Sequence, residues 1–432
     1  MTPFRIGCGA GFQGDRIEPA ADLADRGALD VLVFECLAER TIALAQEARL
    51  KNPDAGYDPL LERRLRATLP GCARHGTKIV TNMGAANPQA AAEKARAVVA
   101  ELGLSLKVAA VTGDDVSDGI AGFTLDETQQ TAAALGDRLV SANAYIGISG
   151  IVNALSQGAD IVICGRASDP ALFLAPLVHH FGWAMDDYER LGRGTLIGHL
   201  LECSAQITGG YFADPGVKDV PDLAHIGYPL AEVTEDGNAI ISKLPGTGGI
   251  VTPATCTEQM LYEIHDPARY LQPDVIADFS GVTFETIAQD RVAVRGATGH
   301  PPSGLLKVSV AYRDGWQGEG QISYAGANAR GRAELARSIL DQRLTDPEIH
   351  ERLGQLIGGD DDIRLRYTAR CADADTARKI GEEVEALYLC GPAAGGGVTK
   401  SVREIIAIAS TLIPSDSVAI RADISGETHE VA

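Results

Sequence analysis

The chain has 432 residues, of which 45% are hydrophobic and 22% charged, an ordinary composition for a soluble globular protein of two or three domains. Its 38 basic and 58 acidic residues give a formal net charge of −20. Because such a negative surface repels nucleic acid and anionic lipid, we expect neither as a partner, and an anionic ligand would need a local positive site.

Cysteine spacing and hydropathy indicate the compartment. The eight cysteines are scattered, without a C-x-x-C pair or a zinc spacing, so we expect reduced, buried thiols and no metal site. The first residues lack the apolar stretch of a signal peptide. No run approaches the roughly 18 apolar residues of a membrane span. We therefore expect a cytoplasmic protein without a transmembrane segment.

In the first half, short apolar strands alternate with Ala- and Leu-rich helices, such as the helix predicted at residues 88–102. The strands are predicted near residues 4–8, 30–35, 78–82, 107–112, 138–143 and 160–165. This alternation predicts an α/β fold whose mostly parallel sheet is buried on both faces. We predict an open, doubly wound, Rossmann-like sheet over residues 1–235. A barrel-like N-terminal half is the alternative.

The pattern changes over residues 236–432, where consecutive strands and then helices predict a second, α+β domain. Its strands are predicted at 282–286, 291–295, 305–313, 317–324, 364–369 and 417–424. Its later helices are predicted at 329–343, 373–389 and 400–412. The sequence Arg313-Asp314-Gly315-Trp316 is typical of a hairpin turn.

Polar groups follow each predicted parallel strand, at the carboxyl end where ligands bind in open α/β sheets. The candidate acids or bases at these ends are Asp15, Glu35 and Asp114. The candidate ligand-binding residues at the same ends are Asn82, Gly84, Asn143, Tyr145, Arg166 and Asp169. Two interpretations of Arg166 fit the sequence equally well. Its guanidinium binds a carboxylate or phosphate of a ligand, or it forms a structural ion pair with Asp169.

The first strand end also contains G-x-G-x-x-G at Gly9, Gly11 and Gly14, which has the spacing of a dinucleotide fingerprint. Asp15 directly behind it would repel a pyrophosphate, so a tight strand-to-helix turn is the simpler interpretation. Further on, His199 and Cys203 share one face of a helix predicted near residues 187–208. We interpret that pair as packing rather than as a metal edge.

A glycine-rich loop begins the second half, directly before a helix that Thr252 would cap and that would run to about residue 265. Glycine N–H groups, the helix start and a lysine together predict an anion site. Its candidate residues are Lys243, Gly246, Thr247, Gly248 and Gly249. The similar loop at residues 391–397 fits either a second anion site or a helix cap followed by a turn.

Four segments, taken as a set, resemble the acyclic terpene utilisation protein A (AtuA) family. They are Gly7–Asp15, Thr81–Pro88, Gly165–Pro170 and Lys243–Gly249. The resemblance runs over nearly the whole chain. It implies a catabolic, cytoplasmic role in bacteria beside enzymes that degrade branched isoprenoid acids as coenzyme A thioesters. It implies no particular reaction and no catalytic residues.

The sequence therefore predicts an enzyme of the lyase or hydratase type that acts on a branched or isoprenoid carboxylate or acyl-CoA. Such chemistry needs an acid–base pair and anion anchors. No cofactor is named by the pattern, and coenzyme A would enter as part of the substrate. The alternatives are a non-catalytic ligand-binding subunit of a partner enzyme and an NAD(P)-dependent dehydrogenase. Expected partners are a small anionic substrate and either further copies of the chain or pathway enzymes.

Overall fold

The computed structural model describes residues 3–424 and 427–430. The chain forms two compact units. The first comprises residues 1–134, 141–310 and 409–432, and the second comprises residues 135–140 and 311–408. Each unit therefore contains chain segments that are distant in the sequence.

Helices cover the sheets of both units, and within the described residues none is both long and apolar enough to cross a bilayer. Those of the first unit are α1 (Glu18–Arg26), α2 (Glu39–Lys51), α3 (Leu61–His75), α4 (Pro88–Glu101), α5 (Ser149–Ser156), α6 (Ala171–Phe181), α7 (Tyr188–Glu202) and α8 (Pro253–Leu261). Those of the second unit are α9 (Ala329–Arg343) and α10 (Ala374–Cys390).

The strands, in chain order, are β1 (Phe4–Ala10), β2 (Val31–Phe34), β3 (Lys78–Thr81), β4 (Val108–Thr112), β5 (Leu139–Ala144), β6 (Ile161–Cys164), β7 (Pro229–Val233), β8 (Ala239–Lys243), β9 (Tyr270–Leu271), β10 (Ile276–Asp278), β11 (Thr283–Ala288), β12 (Arg291–Arg295), β13 (Thr298–His300), β14 (Leu305–Ala325), β15 (Ile349–Gly358), β16 (Asp362–Cys371), β17 (Gly395–Pro414), β18 (Arg421–Ile424) and β19 (Glu427–Glu430).

The largest sheet of the first unit has, among the described residues, 11 strands in the order β11-β12-β8-β7-β1-β2-β3-β6-β4-β18-β19. Its centre, β1-β2-β3-β6-β4, is parallel, and the pairs outside it are antiparallel. The α/β class is confirmed, and the sheet is mixed. The Rossmann-like winding and the barrel alternative stay predictions.

Burial explains why the central strands are continuous apolar runs. Every residue of β2 (VLVF) and of β6 (IVIC) is buried, as strands covered on both faces require. The helix α4 starts where the sequence predicts, with Asn87 as its N-cap and Pro88 in its first turn. The parallel strands therefore end in loops whose positions are set by a rigid core.

The prediction of six parallel strands is wrong for one of them. Residues 139–144 do form a strand, β5, but it pairs with β14, a strand of a separate sheet in the order β15-β16-β14-β17. The predicted hairpin at Arg313–Trp316 is also wrong. Strand β14 continues through it because Gly315 adopts a φ of +85° within the strand, and residues from Trp316 onward pair with β16.

The helix predicted at residues 400–412 is a strand, β17. Its sequence contains Val402, Ile405, Ile406 and Ile408, and such β-branched residues favour extended backbone. Strand β15 was absent from the sequence prediction. The loop at residues 391–397 thus leads into a strand and not into a helix.

The sequence predicts a domain boundary between residues 235 and 236, whereas the two compact units divide the chain at other positions. The antiparallel strands β7 and β8 extend the first sheet from β1, with Arg5 opposite Glu232. Strands β12 and β11 continue the same sheet. Because ladder hydrogen bonds join these strands, residues 236–310 belong to the first unit.

Candidate functional site

A cavity of about 1070 Å³ lies in the first unit at the carboxyl ends of the parallel strands. Five of the residues predicted from the strand ends line it: Asp15, Glu35, Tyr145, Arg166 and Asp169. The ends of β1, β2 and β6 bring four of them together because parallel strands present their carboxyl ends at one edge of the sheet. Tyr145 reaches the cavity from the end of β5, which pairs with β14.

Arg166 is buried, with 1% of its surface exposed, at the end of β6. Its guanidinium donates to the backbone oxygens of Leu37 and Ala167 and pairs with Asp169. It also lies 4.4 Å from the centre of the Tyr145 ring. The ion pair with Asp169 is therefore present, most N–H groups are already used, and ligand binding by Arg166 stays a prediction.

Glu35 follows β2 and is buried in the cavity wall. Its Oε1 accepts hydrogen bonds of 2.8 Å from the backbone N–H of Leu37 and from Asn82 Nδ2. Burial raises the pKa of Glu35 to about 7, although the Arg166 charge opposes the shift. A carboxyl with this pKa can give or take a proton near neutral pH.

Asn82 lies beneath the cavity and not in its wall. Its Oδ1 accepts a hydrogen bond of 2.8 Å from the backbone N–H of Cys36, while its Nδ2 donates to Glu35. The side chain therefore joins the end of β3 to the end of β2 and orients the Glu35 carboxyl. Gly84 is also a packing residue, since a Cβ there would lie 2.5 Å from Cys164 O.

Asp15 closes the loop after β1. Its Oδ2 accepts a hydrogen bond of 2.7 Å from the Gly11 N–H, and burial raises its pKa. A Cβ at Gly11 would lie 2.4 Å from the backbone carbonyl carbon of Cys203, so this glycine allows the loop to pack against the end of α7. These contacts explain the glycine spacing by packing.

Asp114 and Asn143 line a second, smaller cleft of about 210 Å³. Asp114 Oδ2 accepts from the backbone N–H of Arg166 at 2.9 Å and from Asn143 Nδ2 at 3.0 Å. Burial raises the pKa of Asp114 to about 6. The pair holds the backbone of Arg166 from the side, and a direct catalytic role for Asp114 stays a prediction.

The Lys243–Gly249 loop does not line the cavity. Lys243 Nζ lies 3.2 Å from Asp290 Oδ2 and donates to Thr247 O at 2.8 Å. The N–H groups of Gly248 and Gly249 donate to backbone carbonyl oxygens of residues 225 and 221. The helix after the loop begins as predicted, with Thr252 in a capping box, and ends at residue 261.

The donors predicted for an anion are thus engaged within the fold. Gly246 has a φ of +81° in the turn, and Thr247 Oγ1 donates to Leu244 O at 2.7 Å. A Cβ at Gly248 would lie only 1.9 Å from Asp222 O. Packing explains the glycines of this loop, and the anion site stays a prediction.

Three residues at the end of α7 line the cavity although the strand-end argument omits them: His199, Glu202 and Cys203. His199 Nδ1 lies 2.9 Å from Glu202 Oε1, and Nε2 lies 3.1 Å from Met260 O. Burial raises the pKa values of Glu202 and Cys203. The i, i+3 spacing of His199 and Glu202 was the available sequence signal.

Tyr145 belongs to a fixed polar network. Its hydroxyl donates to Glu39 Oε1 at 2.5 Å, and Lys307 Nζ lies 3.1 Å from the same oxygen. Burial raises the pKa of Tyr145 to about 12. Burial opposes ionisation of Glu39, but the hydrogen bonds from Tyr145 and Lys307 outweigh it and lower its pKa to about 2. These two groups keep one protonation state near neutral pH.

Large apolar side chains surround the cavity and are exposed to solvent. We call this group the apolar rim: Phe12, Tyr211, Leu271, Leu305 and Leu412. Tyr211 has 85% of its surface exposed and Phe12 has 59%. Clustered exposed apolar side chains around a cavity are typical of a binding site for a ligand with an apolar part.

The model of the acyclic terpene utilisation family protein AtuA matches residues 4–424. The chain belongs to this family, which confirms the resemblance seen in the sequence. No curated protein matches the chain. One solved structure, an aspartate kinase from Clostridium acetobutylicum, is 9% identical over 99% of this chain and 87% of that chain, with a TM-score of 0.20. A likeness this weak carries no argument about fold or function.

The packing at Gly248 gives a stability prediction. Gly248→Ala should lower the free energy of unfolding by about 1–3 kcal/mol, because its Cβ would overlap with Asp222 O. Urea unfolding measures the loss. Gly119→Ala is the control, since a Cβ there meets no atom within 4 Å. An unchanged midpoint for Gly248→Ala would contradict the packing explanation.

The raised pKa of Glu35 gives a pH prediction. The folded protein keeps a proton on Glu35 that the unfolded chain releases between about pH 4.5 and 7, so stability falls as the pH rises through this window. Glu35→Gln removes this loss. The difference to measure is the free energy of unfolding of Glu35→Gln minus that of the wild type. This difference should increase by on the order of 2 kcal/mol between about pH 5 and about pH 8.

Urea unfolding of both proteins at the two pH values checks this difference. Glu93→Gln, on the exposed side of α4, is the matched control and should show the same difference from wild type at both pH values. If Glu35→Gln also shows no change with pH, Glu35 is ionised in the folded protein and the assignment is wrong.

Proposed function

We propose that the chain is a catabolic enzyme acting on a branched or isoprenoid carboxylate or its coenzyme A thioester, by lyase or hydratase chemistry. The observation that supports this most is a cavity in which the buried Glu35 carboxyl lies within the apolar rim. The family name supports a role in acyclic terpene utilisation. The reaction itself is our inference from the site.

The dimensions and lining of the cavity favour a long apolar ligand. Its volume of about 1070 Å³ is just above the roughly 300–1,000 Å³ of common ligand pockets. The apolar rim would contact the branched chain. Arg269 also lines the cavity and is exposed, so we propose it as the cation for a carboxylate or phosphate.

Glu35 is the group we propose for proton transfer at the carbon next to the carbonyl. Its pKa of about 7 leaves both protonation states populated near neutral pH, which is the condition for efficient general acid–base catalysis. Asn82 and the backbone N–H of Leu37 hold Oε1, so the carboxyl has a defined orientation. Removal of this proton would prepare the elimination of a group on the following carbon.

Three further inferences accompany this function. We infer that the parallel centre and its helices form a doubly wound unit, and that the ligand binds at its strand ends. We infer a cytoplasmic location from the catabolic role that the family name suggests. We also infer association with pathway enzymes or with further copies of the chain.

A hydration assay tests the function. Purified protein should convert β,β-dimethylacrylyl-CoA, a branched unsaturated thioester, to its β-hydroxy form, measured as loss of the ultraviolet absorption of the conjugated thioester. Glu35→Gln should lower kcat by about 10²- to 10⁴-fold, because in hydration Glu35 gives the proton to the carbon next to the carbonyl and glutamine cannot. Glu93→Gln should retain the wild-type rate, and crotonyl-CoA shows whether the branch matters.

The alternatives give different results in the same assay. If the wild type binds the thioester in calorimetry but never converts it, the chain is a ligand-binding subunit and the enzyme proposal is wrong. If turnover requires NAD(P) and changes its absorption, the chain is a dehydrogenase. Equal rates for Glu35→Gln and wild type would remove Glu35 from the mechanism.

A further inference from the structure

The contacts of His199 determine where its hydrogens lie. Met260 O, a backbone carbonyl, can only accept, so the 3.1 Å contact places a hydrogen on Nε2. The opposite nitrogen, Nδ1, lies 2.9 Å from Glu202 Oε1. One more hydrogen must lie between these two atoms for the contact to be a hydrogen bond.

This second hydrogen allows two arrangements with the same proton count. Either an imidazolium donates to a carboxylate, or a carboxylic acid donates to a neutral imidazole. Without it, the Nδ1 lone pair would face a carboxylate, and a negative charge would remain in a buried position. A neutral imidazole beside a free carboxylate is the reference state for the proton count. The His199–Glu202 pair therefore holds one proton more than this reference.

The surroundings of the pair favour proton retention. Burial raises the pKa of Glu202, with His199 opposing and Glu263 adding to the shift. Glu202 Oε2 is buried and has no hydrogen-bond partner among the described residues. A negative charge on this carboxyl would have no further donor to stabilise it.

The groups that face the pair also include acids that would resist a second negative charge. A charge on Glu202 raises the pKa of Glu35, while Arg166 is the cation that offsets a charge on Glu202. Burial raises the pKa values of Cys203 and Tyr270, so these two neighbours are uncharged near neutral pH. An ionised Glu35 therefore raises the cost of ionising Glu202. Loss of the proton therefore becomes favourable only when another group of the site takes one up.

We propose that the His199–Glu202 pair is the proton donor of the cavity, with Glu35 as the base. This deepens the proposed function and depends on it. In dehydration, Glu35 takes the proton from the carbon next to the thioester carbonyl, a carbon–carbon double bond forms, and the carbon–oxygen bond breaks. The pair gives its proton to the departing hydroxyl, which leaves as water.

No oxidant or other reactant is needed, because the proton that Glu35 gains equals the one that the pair loses. In the hydration direction the two roles are exchanged. His199 acts as a positioning residue behind Glu202. Its ring is held by Met260 O, by the Tyr270 ring with a centroid distance of 5.2 Å, and by the Phe279 ring at 6.0 Å.

Nuclear magnetic resonance tests proton retention without a substrate. In protein labelled with ¹⁵N-histidine, a low-field proton resonance from the Nδ1–Oε1 contact should persist from about pH 6 to 8. It should be absent in Glu202→Gln, whose amide still donates to Nδ1 but has no acidic proton. A His199 resonance that titrates freely below about pH 7 in the wild type would overturn the proposal.

Kinetics test the donor role. With dimethylacrylyl-CoA, Glu202→Gln should lower kcat at least about 100-fold with KM changed less than about threefold. In this hydration direction the pair is the base and Glu35 is the acid, so the pH profile of kcat/KM should lose its acidic limb in Glu202→Gln and its alkaline limb in Glu35→Gln. If the role of Glu202 were only structural, Glu202→Gln would keep both limbs of the pH profile.

The outcomes separate this proposal from the function on which it depends. If the wild type does not convert the thioester, the proposed function is wrong, and the resonance experiment still decides whether the pair holds a proton. If the wild type is active and Glu202→Gln matches it, only the donor role is wrong. Should Glu202→Gln fail to fold, His199→Gln must shift the acidic limb of the hydration profile, and an unshifted limb overturns the proposal.

Discussion

The candidate site depends on the hydrogen bonds and the ion pair that the buried guanidinium of Arg166 makes. It joins the end of β6 to Leu37 after β2 through hydrogen bonds, and it pairs with Asp169. A buried cation is costly unless its donors are satisfied and its charge is balanced. Its donors are engaged here, and its charge lowers the cost of placing carboxyl groups at Glu35 and Glu202 in the same cavity.

The carboxyl groups near Arg166 fall into two kinds. Glu39 accepts from Tyr145 and Lys307 and stays ionised, so it fixes the cavity wall. Glu35 and Glu202 are more deeply buried, and burial raises their pKa values. This difference in burial, together with the Lys307 charge beside Glu39, separates groups that build the site from groups suited to move protons.

The sequence predicts the strand ends well because buried parallel strands have a strong apolar signal. Glu35 and Arg166 were found in this way, and both line the cavity. Strand β17 and the course of β14 were missed because sheet pairing, and not local pattern, determines them. Tertiary contacts decide these cases.

Two features of the site could not be found from spacing alone. His199 and Glu202 are recognisable as a pair only when Met260 O is seen to occupy the opposite ring nitrogen. The glycines at 248 and 249 suggested anion binding, but their N–H groups meet carbonyl oxygens at residues 225 and 221. In both cases the deciding partner is more than twenty residues away in the chain.

The central claim is that a cavity at the strand ends raises the pKa of the Glu35 carboxyl into the neutral range, where both of its protonation states are populated. Infrared difference spectroscopy of wild type against Glu35→Gln measures this most directly, through the carbonyl stretch of a protonated carboxylic acid. The account predicts a Glu35 band that persists from about pH 5 and disappears with a midpoint near the raised pKa of about 7. A band that disappears near the ordinary glutamate value of about 4.3 would contradict it.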